Sequence, residues 1–215
     1  MKSNKKLTLN NKKSIKIYLI PMKTKKKLDA SSKVIISELG KNGRVKLTAL
    51  AKRLNVTPAA EKERVERLME KGIIKVIGAI NASELFPINA IIGVEADANT
   101  INVLIRKFRT CPLVFHLSKT TGVYNLVIGM VAEDMDHLES RINYHIRNEP
   151  GLKHVEVNMG HGAIHPEFRQ LRLWQKEQTD TCICFGGRCD ECPAYVDLGG
   201  TCRGCPDTLF YKDEG

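Results

Sequence analysis

The sequence predicts an α+β protein in three parts, and one observation indicates each part. Residues 28–82 hold amphipathic helical segments joined by a tight turn, which is typical of a winged helix-turn-helix. Residues 83–160 alternate strand-like and helix-like segments in the order βαββαβ, a ferredoxin-like arrangement. Residues 182–215 contain closely spaced cysteines, which predict a small cysteine-rich metal-binding tail. Residues 1–27 and 161–181 are interpreted as a basic disordered tail and a connector.

Apolar spacing predicts the first two helices. The first covers residues 29–41 and ends near Gly40 and Gly43, since glycine favours the backbone that closes a helix. The second covers residues 46–54. Its apolar side chains recur at i, i+3, i+4 and i+7 and so share one helical face; they are Leu47, Leu50, Ala51 and Leu54.

A three-residue turn leads into a third helix. Thr57 is a good N-cap, and Pro58 suits the first helical position because its missing N–H is not needed there. This helix runs to Lys71 and stops at Gly72, and residues 73–80 are interpreted as a strand, the wing. A helix presented by such a turn is typical of DNA recognition.

The charge of this region agrees with DNA binding, because residues 28–80 carry 11 cations and 6 anions. A helical bundle with solvated charges is the alternative, and the turn chemistry favours DNA. We therefore expect double-stranded DNA as a partner, contacted by Lys52, Arg53, Thr57, Lys62, Arg64, Arg67 and Lys75.

The net charge of +10 is concentrated at the N-terminus. Residues 1–27 contain ten lysines and no acid, whereas the remaining chain carries 24 cations and 24 anions. This tail is either a basic arm that attracts phosphate, or a stretch that begins upstream of a true start at Met22. Its apolar run, residues 15–20, is too short for an export signal or a membrane span. We therefore expect a cytoplasmic protein with reduced thiols and no membrane partner.

Periodicity also predicts the βαββαβ domain. Its helical faces show apolar residues at i, i+3 and i+7, as in Ile101, Leu104 and Phe108, and its strands are apolar runs separated by turn residues. The predicted elements are strand 88–96, helix 101–108, strand 113–117, strand 124–131, helix 135–146 and strand 152–158.

Six cysteines form the candidate metal site: Cys182, Cys184, Cys189, Cys192, Cys202 and Cys205. Cys-x-x-Cys pairs place two thiolates on one turn, so zinc would take the last four tetrahedrally. An iron–sulfur cluster also takes four thiolates, and a proline follows each pair, as in ferredoxin runs. The sequence leaves zinc and iron–sulfur open and gives Cys182 and Cys184 no role in a four-ligand site. Cys111 is expected to be an ordinary buried thiol.

The segment LAKRLNVTPAAEKERVERLMEKGII resembles the DNA-binding half of the Lrp/AsnC (leucine-responsive and asparagine-operon) regulators. The matching positions are Leu50-Ala51, Leu54, Thr57, Arg64, Leu68, Gly72 and Ile74. Glu61 stands where the family has an apolar residue. Its spacing from Val65 and Leu68 directs it toward the helical core.

The segment TTGVYNLVIG is similar to the effector domain of the same family. The resemblance implies homodimers that often stack into octamers, and small effectors, commonly amino acids, bound between dimers. Gly122, Tyr124 and Asn125 fall on the effector loop, where Asn125 replaces the usual aspartate. A neutral amide does not pair with an ammonium group as a carboxylate does.

Two further resemblances concern the cysteine-rich tail and the two-domain architecture. The tail is similar to small cysteine modules appended to some archaeal regulators. Siroheme decarboxylase subunits share the two-domain architecture, and His116 before Tyr124-Asn125-Leu126 is the basis of that enzymatic alternative. The Thr121-Gly122 hallmark is the regulators' own, so the sequence favours a regulator without catalytic residues.

Overall fold

The computed structural model describes four ranges of the chain: residues 27–161, 168–173, 178–196 and 202–212. They fall into two compact units, which divide between Val76 and Ile77. The predicted basic tail before residue 27, including a start at Met22, lies outside the described residues.

The first unit is a helix-turn-helix, and its three predicted helices are confirmed. The Asp29 carboxylate accepts a hydrogen bond from the Ser32 amide at 2.7 Å and so caps the first helix. Asn55 takes a left-handed conformation (φ 54°) and turns the chain out of the second helix. The helices are α1 (Ala30–Lys41), α2 (Leu47–Leu54) and α3 (Pro58–Glu70).

The predicted wing strand is wrong. Residues 74–79 have no regular secondary structure, and the one short strand nearby is β1 (Ile80–Asn81). β1 belongs to the second unit, where it pairs with β6 (Phe168–Arg169). A strand needs a hydrogen-bonded neighbour, and none of the described residues pairs with 74–79.

The second unit is built on a four-stranded antiparallel sheet with the strand order β3-β4-β2-β5. This order and the βαββαβ sequence of elements confirm the ferredoxin-like prediction. The elements are β2 (Ile88–Ala96), α4 (Ala98–Phe108), β3 (Val114–Lys119), β4 (Leu126–Ala132), α5 (Met135–Ile142) and β5 (Leu152–Gly160).

Two helices differ from the predicted bounds for local reasons. The Asp97 carboxylate caps Thr100, so α4 begins before the apolar stripe does. Helix α5 ends earlier than predicted, because residues 143–147 form a π-helical turn after Ile142. No helix in the described part of the chain is long and apolar enough to cross a bilayer.

The cysteine segment packs on the helical side of this sheet. Its short elements are β7 (Thr181–Cys182), β8 (Gly187–Arg188) and α6 (Pro193–Val196). Cys182, Cys184, Cys189 and Cys205 join the same buried core as Leu104 and Leu138. In the predicted connector, Phe168 lies in β6 and Leu171 joins this core, while Trp174 lies outside the described residues. The tail and the sheet therefore share one core.

Candidate DNA-recognition helix and thiol site

The N-terminus of α3 is presented as the sequence predicts. The Thr57 hydroxyl accepts a hydrogen bond from the Ala60 amide at 3.2 Å, and Pro58 occupies the first turn. Thr57 is exposed, so the cap and the first turn of α3 are accessible to a ligand. Backbone amides at an open helix N-terminus also favour phosphate.

Exposed cations line the rest of α3. Lys62 lies 3.8 Å from Glu66, and Arg67 lies 3.8 Å from Glu63, both one turn apart along the helix. More than half of each of these side chains is exposed. Exposed pairs at this distance contribute little to stability, so both cations can exchange their acid for a phosphate.

The other predicted DNA contacts lie in the same unit. Arg53 pairs with Glu38 at 3.1 Å while 61% of its side chain stays exposed, and Lys52 precedes it on α2. Arg64 is half-buried on α3. Lys75 is exposed in the irregular segment that replaces the predicted wing.

Glu61 lies on the inner face of α3, as its spacing predicts. It is fully buried, and neither of its carboxylate oxygens has a hydrogen-bond partner among the described residues. Burial raises the pKa of this carboxyl, and the charge of Arg64 opposes the rise. Glu61 is therefore a buried acid in the small core of Ile35, Val65 and Leu68.

The predicted effector residues lie in the β3–β4 turn. Gly122 is exposed. Tyr124 donates a hydrogen bond to Glu156 and stacks on His154 with the ring centroids 5.9 Å apart. A side chain at Gly93 would meet the Tyr124 ring at 2.7 Å, so glycine makes room for the tyrosine.

Asn125 is engaged with the end of β2. Its amide oxygen accepts from the Ala96 N–H at 3.2 Å, and its amide nitrogen donates to the Ala96 carbonyl at 2.7 Å. A carboxylate could accept the first bond but could not donate the second. The amide that departs from the family pattern therefore has a structural explanation here.

The described thiols gather around Cys182, Cys184 and Cys205. The sulfur atoms of these three buried residues all lie within 4.8 Å of one another. The Cys182 thiol also interacts with Cys189, and hydrogen bonds from Cys184, Cys189 and Cys205 lower the pKa of Cys182. Cys182 and Cys184, which the spacing left without a role, are thus central to the site.

The expected four-thiol set of the two Cys-x-x-Cys pairs is not assembled. Each pair is split: Cys189 and Cys205 join the core around Cys182, whereas Cys192 and Cys202 form a second buried cluster with Ala194. The β7–β8 hairpin brings Cys182 and Cys184 beside Cys205. They occupy the places that the tetrahedral prediction gave to Cys192 and Cys202.

Cys111 does not stand apart, contrary to expectation. It follows α4 in the sheet domain, and its sulfur lies 3.9 Å from that of Cys184. Both thiols are buried.

Sequence reasoning also missed Arg141, a residue of α5 that is 1% exposed. Its guanidinium donates to Cys184 Sγ at 3.5 Å, Cys205 Sγ at 3.4 Å and the Gly204 carbonyl at 2.8 Å. It also donates to His137 Nε2 at 2.8 Å. The available signal was a cation one residue before Ile142, on the edge of the apolar stripe of the helix.

The charges at Arg141 are unusual for a core. Burial lowers the pKa of Arg141, but the attraction of Cys205, Cys184, Cys202 and Cys111 outweighs it, so the pKa lies well above the usual value. Burial and the charges of Arg141 and Arg203 lower the pKa of His137 to about 2, so its ring is a neutral acceptor. No carboxylate is a hydrogen-bond partner of Arg141 in the described part of the chain.

Ion pairs at the rim fix the tail to the sheet domain. Arg203 lies 2.8 Å from Asp134 and 3.6 Å from Glu133, at the start of α5. Tyr211 donates a hydrogen bond to Glu133. The thiols are therefore held against α5 from both sides of Cys205.

Comparison with known proteins places the two domains in a family. Residues 28–75 match the winged helix-turn-helix DNA-binding family, and residues 89–160 match the Lrp/AsnC ligand binding domain. The cysteine segment lies beyond both matched ranges. These matches are to domains of regulators, and they give no support to the siroheme decarboxylase interpretation of His116, an exposed β3 residue beside Ser118.

The relatives agree with this. An uncharacterized HTH-type transcriptional regulator of Pyrococcus furiosus is 34% identical over 116 residues, which cover 52% of this chain and 75% of that protein. The HTH-type transcriptional regulator LrpA of Pyrococcus horikoshii is 28% identical over 60% of this chain and 92% of its own length. The structure of E. coli AsnC shares the fold, with a TM-score of 0.56 and 22% identity over 63% of this chain and 93% of that one. With both domains matched in order, and with a relative this similar over three quarters of its length, the chain belongs to the Lrp/AsnC family of transcription regulators.

Proposed function

We propose that this regulator binds duplex DNA through α3 and that a single metal ion at the thiol site changes the binding. The observation that carries the DNA-binding proposal is the capped, exposed α3 with its row of exchangeable cations. The first turn would face the major groove, and Lys62, Arg64 and Arg67 would contact phosphates or base edges.

The DNA proposal is tested with variants of α3. Arg64→Ala and Arg67→Ala are compared with Arg106→Ala, an exposed arginine of α4 outside the helix-turn-helix. The probe is a duplex selected from a random library by the wild-type protein. Each α3 variant should bind more weakly, and loss of a phosphate contact should lower the salt slope by about 1. Unchanged affinity and slope in both folded α3 variants would refute the assignment of this helix.

The sheet domain supports assembly. Ile91 is 40% exposed at the centre of β2, on the sheet face opposite the helices. We propose that this face pairs two copies into a homodimer, and that dimers stack further as the family resemblance implies. Light scattering of wild type and Ile91→Lys tests this, since a lysine on a buried interface should shift the mass toward the monomer.

A small effector is proposed at the β3–β4 turn. Of the predicted effector residues, Gly122 is exposed and Tyr124 is partly exposed, whereas the Asn125 amide is occupied by Ala96. An effector held here gains no carboxylate from position 125, so we expect an uncharged or anionic group to face that side.

The thiol spacing supports one ion rather than an iron–sulfur cluster. A tetrahedral zinc with bonds of about 2.3 Å separates its sulfur atoms by about 3.8 Å. Three thiols within 4.8 Å approach that spacing. Thiolates bound to different irons of a cluster lie farther apart. We propose that Cys182, Cys184 and Cys205 supply three thiolates to a soft divalent ion, and that a neighbouring cysteine supplies the fourth.

Metal analysis of protein purified without oxygen tests the metal proposal. About one zinc and no sulfide per chain would support the proposal. Protein that contains no zinc and no iron would refute it. Operator affinity is then measured for the loaded and the chelator-treated protein. If the loaded and the chelator-treated protein bind DNA with the same affinity, the ion has a structural role only.

A further inference from the structure

We infer that the thiol site is shared between the ligand-binding domain and the tail. Cys111 of the domain supplies the fourth thiolate, and Arg141 of α5 is the counter-charge of the complex. This inference rests on the proposed metal function and adds to it the residues by which the ligand-binding domain contacts the metal complex.

The position of Cys111 carries the first step. Cys111 sits in the turn between α4 and β3, where its amide bonds to the Phe108 carbonyl. Its sulfur lies 3.9 Å from Cys184, close to the separation of two ligands on one tetrahedral ion. Cys111 is 2% exposed, so it is shielded from water beside the tail thiol Cys184.

The alternative fourth ligand is Cys189, which interacts with Cys182. The Cys189 sulfur is 3.9 Å from the Thr208 hydroxyl, which offers it a polar partner of its own. Cys111 instead lies 3.9 Å from Cys184, the thiol that Arg141 contacts at 3.5 Å.

Charge balance carries the second step. Four thiolates around a divalent ion leave a net charge of about −2, which is costly in a core without a nearby cation. Arg141 lies 3.5 Å from Cys184 and 3.4 Å from Cys205, and its guanidinium keeps its proton under ordinary conditions. A hydrogen bond to a ligating sulfur stabilises the thiolate and orients it, so Arg141 is a positioning residue for the site.

The arrangement makes the metal a clamp between two parts of the unit. Release of the ion removes the bond between the α4–β3 turn and the tail, and it leaves Arg141 without the complex that balances its charge. α5 and the α4–β3 turn flank the sheet of the ligand-binding domain, so metal occupancy acts directly on that domain.

Cobalt titration of the full-length protein tests the ligand set, because the intensity of the thiolate-to-cobalt absorption counts thiolates on the ion. The variants are Cys111→Ser, Cys189→Ser and, as a control from the second cluster, Cys192→Ser. Cys111→Ser should lose about a quarter of the intensity, one ligand in four, and at least tenfold in affinity. Cys192→Ser and Cys189→Ser should titrate like the wild type.

The titration distinguishes a failure of the proposed metal function from a failure of the inference about Cys111. Wild-type protein that binds no cobalt overturns the proposed metal function and this inference with it. Wild-type binding that Cys111→Ser leaves unchanged and Cys189→Ser reduces overturns only the inference.

Arg141→Met and Arg141→Lys keep the inference testable if serine at position 111 prevents folding. Arg141→Met should weaken cobalt binding by about 10- to 100-fold, and Arg141→Lys, which keeps the charge, should recover part of the loss. By reciprocity, the rise in melting temperature on cobalt addition should be smaller in Arg141→Met than in the wild type. An equal rise in both proteins would mean that the arginine only packs the core, and would overturn its role as counter-charge.

Discussion

Glu61 in the first unit and Arg141 in the second are both buried ionisable side chains, but their hydrogen-bond surroundings are opposite. Glu61 of α3 has no hydrogen-bond partner at either oxygen among the described residues. Arg141 of α5 donates to two sulfur atoms, a carbonyl oxygen and a ring nitrogen. Both side chains are at most 1% exposed.

The difference follows from what each group can do when it loses water. A carboxyl can take up a proton and become neutral, so burial alone is tolerated at the cost of a raised pKa. A guanidinium cannot lose its proton in a protein and must be met by negative charge. A buried acid is therefore weak evidence for a site, whereas a buried arginine that faces sulfur atoms indicates an anionic complex.

The largest expected effect comes from removing an anionic partner of Arg141. Cys205→Ser replaces a thiolate of the proposed metal complex with a neutral hydroxyl, and the Cys205 sulfur lies 3.4 Å from the guanidinium. Loss of one partner of a buried charge pair costs about 3–5 kcal/mol of unfolding free energy. Hydrogen exchange of α5 in the metal-loaded full-length protein measures the loss. Cys192→Ser is the matched control, and a loss of equal size in that variant would show that any buried cysteine has this effect.

The opposite sign is expected at Glu61. Glu61→Leu replaces an unpartnered buried carboxyl with an apolar side chain of similar size, and the helix-turn-helix should become more stable by about 1–3 kcal/mol. Hydrogen exchange of α1 and α3 in the full-length protein reports on this unit. Glu63→Leu on the exposed face of α3 should change the exchange by less than about 0.5 kcal/mol. A destabilised Glu61→Leu would mean that the acid has a partner in the assembled protein.

The pH dependence of the first unit should isolate the same group. Burial raises the pKa of Glu61 above its ordinary value of 4.5, so the folded state binds the proton more tightly than the unfolded state. Its contribution to stability is present below pH 4.5 and is lost as the pH rises through the raised pKa. Hydrogen bonds from Ser32 lower the pKa of Asp29, which contributes with the opposite sign.

Glu61→Gln separates the two contributions, because the variant retains Asp29. The difference in stability between wild type and Glu61→Gln should change in favour of the wild type as the pH falls. A difference that stays constant between pH 7 and pH 4 would show that folding does not raise the pKa of Glu61.

Local chemistry is what the sequence predicts well in this chain. The helix start at Thr57 follows from a cap residue, and the inward position of Glu61 follows from helical spacing. The strand at 88–96 has the bounds that its apolar run predicts. Each of these features depends on residues within one turn or one strand.

The errors concern contacts between distant residues. A wing strand requires a hydrogen-bonded partner, and none of the described residues pairs with 74–79. The site contacts join residues 43, 64 and 73 positions apart, as in Arg141–Cys184, Arg141–Cys205 and Cys111–Cys184. Cys-x-x-Cys spacing describes only the turn that carries two thiols, so it could not show that the two members of each pair enter different clusters.

The smallest effect on stability is expected at an acid that is exposed. Glu63 is 70% exposed on α3 and lies 3.8 Å from Arg67, so Glu63→Gln should change the unfolding free energy by no more than about 0.5 kcal/mol. If α3 meets DNA, the same change frees Arg67 and removes a charge that repels phosphate. Affinity for all duplexes should then rise together by a few-fold, and the salt slope should become steeper by up to about 1. Glu84→Gln, an exposed acid of the second unit, is the control and should leave both quantities unchanged. Fluorescence anisotropy across a salt series measures them. A Glu63→Gln protein that binds no more tightly than the Glu84→Gln control would place the DNA surface elsewhere than on this face of α3.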